Sequence, residues 1–141
     1  MRLSVLCLAL AVSFAANAAG PRVDFGETNR SVEDVSLVAL IATPEKYAGK
    51  AVRAVGAFRL EFEGNDLCLS KADLDHYITK NCVWLELDSK TLGPKSREIA
   101  GLNGQFVLVE GIFSSKEKGH MGMNSGAVTG IWRVMSVERV R

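Results

Sequence analysis

The chain has 141 residues, with 17 basic against 16 acidic side chains and a formal net charge of +1. That length suits one domain with its own core, and the charge balance leaves no basic footprint for nucleic-acid phosphates. Two histidines and three cysteines are too few for a common zinc site once a disulfide has formed.

Residues 1–18 read as an export signal. Arg2 supplies the positive start, and the apolar run at 3–14 is too short to span a bilayer. Ala16-Asn17-Ala18 gives a small-x-small cleavage pattern, so the mature chain is expected to begin at Ala19. Cys7 lies inside the apolar run rather than at a junction, which argues against lipid attachment. Removing Arg2 from the 17 basic residues leaves 16 against 16. With no second long apolar segment, the mature protein is expected to be soluble, periplasmic or secreted, and to have no membrane contact after cleavage.

Residues 19–30 are polar and aperiodic, and are expected to form a flexible N-terminal arm before a single domain at 31–141. Ser31 followed by Glu33 and Asp34 looks like a helix start, continued by Val35, Val38, Leu40 and Ile41 until Thr43-Pro44 ends it. A turn at Gly49 leads to a strand in which Val52, Ala54, Gly56, Phe58, Leu60 and Phe62 share the inner face. Arg53, Arg59, Glu61 and Glu63 share the outer one. A second strand is expected at 67–70, then a helical turn capped by Ser70 and a third strand at 82–87. A short helix over Ile99 and Leu102 precedes the fourth strand at 106–113. A polar loop at 114–125 leads to a final strand at 127–137, with a bulge expected near Gly130.

The first and fourth strands share one pattern, Gly49-x-x-Val52-x-x-x-Gly56-x-Phe58 and Gly104-x-x-Val107-x-x-x-Gly111-x-Phe113. A glycine within a strand marks a bend or a close approach, and two such strands suit a small closed barrel. The order of three strands, a helix and two strands matches a five-stranded OB-type Greek-key barrel with an added N-terminal helix. The fourth strand is apolar on both faces, and the 31–41 helix is expected to cover its outer side.

The chain also resembles a set of small secreted bacterial OB-fold proteins. The resemblance rests on Pro44-Glu45-Lys46-Tyr47-Ala48-Gly49-Lys50, Glu61-Phe62-Glu63-Gly64-Asn65, Val83-Trp84-Leu85, Val109-Glu110-Gly111 and Lys118-Gly119-His120-Met121-Gly122. It covers nearly the whole mature chain and implies fold and compartment. The family has no assigned biochemical role, so it supplies no catalytic residues.

After signal cleavage Cys68 and Cys82 are the remaining thiols, and an oxidising compartment makes a bridge the default over free thiols. Leu67 and Leu69 pointing inward put Cys68 outside; Val83, Leu85 and Leu87 do the same for Cys82. OB barrels bind on the outer face of their second and third strands, framed by two loops. That face gathers Trp84, Arg59, Glu61, Glu63, Asn65, Asp66 and His120 as candidate contacts for a protein or small-molecule partner. The competing reading covers Trp84 with residues 71–77 or with the N-terminal helix. His120, Met121 and Met123 offer soft ligands for Cu(I) or Ag(I). These ingredients are similar to those of small OB-barrel copper and silver chaperones, but an extended segment would turn His120 away from both methionines. The alternative packs those methionines onto the barrel end. His76 near Asp73 and Asp75 reads as a solvated face, and no nucleophile or paired acid is placed for catalysis. The expected function is therefore non-catalytic binding, without a cofactor.

Overall fold

The computed structural model describes residues 20–26 and 30–138. The export signal at 1–18, and residues 27–29 of the expected arm, lie outside them. Within the described residues seven strands form: β1 (Arg22–Asp24), β2 (Glu33–Asp34), β3 (Ala51–Arg59), β4 (Asp66–Cys68), β5 (Cys82–Leu85), β6 (Phe106–Ser114) and β7 (Ala127–Ser136). The helices are short: α1 (Leu37–Ala42), α2 (Pro44–Tyr47), α3 (Lys71–Asp75), α4 (Ser89–Leu92) and α5 (Ser96–Ala100). None is long and apolar enough to cross a membrane.

Five strands close into a barrel. Around the ring β3 pairs with β4, β4 with β5, β5 with β7, β7 with β6, and β6 with β3 again. The β5–β7 pair is parallel and the other four are antiparallel. Val52, Phe58, Val107 and Phe113, the Val and Phe of the repeated pattern, are all buried in the same core. Its glycines have two tasks. Gly49 and Gly104 sit at φ +77° and +80°, a region that only glycine enters cheaply. Gly56 and Gly111 are pressed by neighbours: a Cβ on Gly56 would lie 2.5 Å from Leu37 Cδ1, and one on Gly111 would lie 2.5 Å from Val128 Cγ1. The expected irregularity near Gly130 is present, because Glu110 pairs with Arg133 while Ile112 pairs with Thr129. Gly111 therefore faces the Gly130-Ile131-Trp132 stretch of β7.

The N-terminal third departs from expectation. The helix expected from Ser31 begins only at Leu37, capped by the Ser36 hydroxyl, which accepts from Ala39 N. Glu33 and Asp34 instead run parallel to β3, where their carboxylates meet Lys50 and Arg53. Cross-strand pairing thus overrides a plausible cap. The helix does not cover β6; α1 packs on β3 and β5, with Leu37 and Leu40 in the barrel core. Within the segment expected to be a loose arm, Arg22–Asp24 pairs along β7 and buries Val23.

Strand ends differ too. β3 stops at Arg59, so Phe62 leaves the inner face and becomes fully exposed; β4 stops at Cys68, and Leu69 turns outward. The short helix before β6 forms as expected, with Ile99 and Leu102 buried.

Candidate functional site

On the outer barrel face the register places side chains in rows. Ala57, Cys68 and Cys82 lie opposite one another, and the two sulfurs form the expected disulfide at 1.97 Å. Both cysteines lie outside the barrel core yet are buried, in a small cluster with Ala57, Leu74 of α3 and Phe106. The Ser70 hydroxyl caps α3 by accepting from Asp73 N, and Asp73 is itself buried rather than part of a solvated face.

The next row is Arg59, Asp66 and Trp84. Here the expected contact residues are brought together, but most are occupied by one another. Arg59 and Asp66 form a buried ion pair. Arg59 also donates to Leu74 O at 2.8 Å and stacks 4.3 Å from the Tyr77 ring centroid. Asp66 accepts from Asn124 Nδ2 at 2.7 Å, and Asn65 donates to Leu87 O at 3.2 Å. Arg59 Nε, 3.9 Å from Glu61, is the one buried side-chain nitrogen or oxygen without a hydrogen bond among the described residues. Trp84 is half-buried, and part of its cover comes from the β6–β7 loop. Gly119 lies flat on its ring, so close that a Cβ there would sit 2.5 Å from Trp84 Cδ2. The indole is a platform for the β6–β7 loop.

What remains accessible is the pair of loop tips. Glu63 reaches His120 at 3.4 Å, which joins the β3–β4 loop to the β6–β7 loop. Beside this contact, Phe62 is 93% exposed and Met121 83%. Glu63, Tyr77 and Met121 are the non-glycine residues with positive φ among those described, and each borders this end of the molecule. Strained backbone of this kind persists only where surrounding contacts hold it. Residues His120–Gly122 form a kinked turn, with Met121 in the left-handed region, rather than an extended segment. Of the two methionines Met121 projects into solvent, while Met123 is 43% exposed. No group of three or more His, Cys, Asp or Glu side chains converges among the described residues.

A second constellation, at the other end of β3, has no counterpart among the expected contacts. Register aligns one charged residue from each of five strands. Asp34 of β2 lies opposite Arg53 of β3, Arg53 opposite Glu110 of β6, Glu110 opposite Arg133 of β7, and Arg133 opposite Asp24 of β1. Charges alternate along the row, as favourable cross-strand pairs require. Glu110 at its centre is buried, and accepts from Arg53 Nε at 2.7 Å, Trp132 Nε1 at 2.8 Å and Arg133 Nη1 at 3.2 Å. Burial pushes its carboxyl up, but Arg53, Trp132 and Arg133 together outweigh that and hold it below the usual carboxylate range. Asp24 is lowered as well, first by its bond from Arg22 and then by Arg133. A cavity of about 710 Å³ opens beside this row, walled by Phe25, Arg22 and Lys95.

The sequence signal for this row was thin. The outward position of Arg53 was legible, but Glu110 looked like one polar residue in an apolar strand, and its partners are 57 and 23 residues away. Comparison with protein families, with characterised proteins and with solved structures found no match to this chain.

Proposed function

We propose that this chain is an exported, non-catalytic binding module of OB type that recognises a partner protein through its two joined loop tips. The ring order, with a single parallel pair between the third and fifth barrel strands, supports the OB assignment. The reading rests on the exposure of Phe62 and Met121 side by side with the Glu63–His120 contact. Large apolar side chains held out on braced loops lose little freedom on docking, the usual property of an interface anchor. Arg59, Asp66, Asn65 and Trp84 serve this surface from beneath by bracing the loops. Glu61, Glu63 and His120 form its polar rim.

The test is a pull-down from the exported fraction with the native chain and with Phe62→Ser/Met121→Ser, whose fold is checked by circular dichroism. The native chain is expected to retain a defined partner that the double variant loses. Retention of the same proteins by both would overturn the assignment.

A soft-metal reading draws on a separate observation. The segment His120–Gly122 turns rather than extends, and bringing His120, Met121 and Met123 to one ion requires a curled loop. Anaerobic titration with Ag(I) tests it: binding that is lost on changing both methionines to Ala supports it, and unchanged affinity removes it.

A further inference from the structure

The geometry points to a second binding site, in the cavity beside the Arg53–Glu110–Arg133 row, for a small molecule bearing a carboxylate or phosphate group. Unused donors on Arg22, Arg53 and Arg133, together with the excess of cations, set the sign of the ligand. Each of the two carboxylates that line the cavity already faces guanidiniums on both of its oxygens. Glu110 takes Arg53, Arg133 and Trp132 on its two oxygens, while Asp24 takes Arg22 on one oxygen and Arg133 on the other. The guanidiniums are not saturated. Arg53 bonds through Nε and Nη1, Arg133 through Nε and Nη1, and Arg22 through Nε alone, so Nη2 of all three takes no bond among the described residues. Lys95 adds an ammonium anchored on the Asp24 carbonyl. Arg22, Arg53 and Arg133 therefore keep free donors, while both carboxylates are already paired with guanidiniums.

Charge agrees with this. Five cations, Arg22, Arg30, Arg53, Lys95 and Arg133, line the cavity against two carboxylates, Asp24 and Glu110. Guanidinium forks held in a fixed plane suit two-oxygen acceptors, and the buried Glu110 does the holding from behind. It is a positioning residue, not a contact for the ligand. Phe25 on the cavity wall offers an apolar surface for the rest of the molecule. At about 710 Å³ the cavity falls within the range typical of small-molecule sites.

The site is separate from the loop tips, so its test is independent of the partner-protein reading. Backbone resonances of the full mature chain are followed during titration with inorganic phosphate, and separately with citrate, at constant ionic strength. The variant is Arg22→Gln/Lys95→Gln, because neither residue bonds Glu110 and the bonds of Arg53 and Arg133 to Glu110 are left in place. Saturable shifts centred on Phe25, Arg53 and Arg133, weakened about tenfold or more in the variant, are expected with at least one probe. Phosphate alone, or citrate alone, identifies which oxyanion the forks accept. The absence of saturable shifts with both probes, shifts scattered over unrelated surface lysines, or equal affinity in the variant would overturn the site.

Discussion

Replacing Glu110 by Gln keeps the shape of the side chain but removes its charge and turns an NH₂ group toward donors. The structure sets which partner suffers more. Glu110 is 2% exposed at its side chain, whereas Arg53 is 36% and Arg133 28% exposed. Without Glu110 the two guanidiniums can rehydrate, so the loss belongs at about 2–3 kcal/mol, below the 3–5 kcal/mol of a stranded buried charge. The reverse change, Arg53→Met with Arg133→Met, leaves a buried carboxylate with Trp132 as its remaining donor. It should cost more, about 4 kcal/mol or above. Urea unfolding followed by tryptophan fluorescence measures both.

The pH dependence separates them further. The folded-state pKa of Glu110 is depressed, so its stabilisation is present above the unfolded value and is lost as pH falls through the folded one. The gap between the native chain and Glu110→Gln should therefore narrow as pH falls from 7 through the carboxylate range. In the double Met variant the unopposed burial raises the same pKa. Its deficit against the native chain should shrink too, because the neutral acid is tolerated, with onset at higher pH. Equal urea midpoints for the native chain and Glu110→Gln at pH 7, or a gap that is flat with pH, would refute the reasoning.

Three other outcomes follow from the geometry. Changing Cys68 and Cys82 to Ser opens a loop with a sequence separation of 14; it should cost about 3 kcal/mol in urea unfolding, and reduction of the native chain should give a similar loss. Gly56→Ala should cost about 2 kcal/mol or more, because its Cβ meets the Cys68 carbonyl oxygen at 2.7 Å as well as Leu37; a neutral melting temperature would contradict the close approach. Trp84→Ala should leave the barrel folded but free the loop that Gly119 anchors, giving faster proteolytic cleavage within residues 114–126 than in the native chain.

The legible part of this molecule was local. Strand alternation placed Val52, Phe58, Val107 and Phe113 inside and both cysteines on one outer face, because period-two parity needs only neighbouring residues. The irregularity at Gly130 was legible for the same reason. Ser31 failed as a cap because Glu33 and Asp34 find cationic partners on β3, a tertiary gain that local helix signals do not register. Phe62 failed as a core residue because nothing in the alternation marks where β3 stops pairing. Among the expected contacts, Arg59 and Asp66 were correctly grouped but lie buried, since the pairing that covers them spans a turn and a second loop. The charged row was hidden most completely. Asp24, Asp34, Arg53, Glu110 and Arg133 become neighbours only once five strands are in register.

The partner-binding proposal is tested most directly by a photo-crosslinking amino acid placed at position 62 of the exported chain, with position 90, on the exposed Ser89–Leu92 helix, as control. A discrete adduct from position 62 that disappears on Met121→Ser and is absent from position 90 is expected. No adduct from position 62, or the same adducts from both positions, would contradict a docking surface at the loop tips.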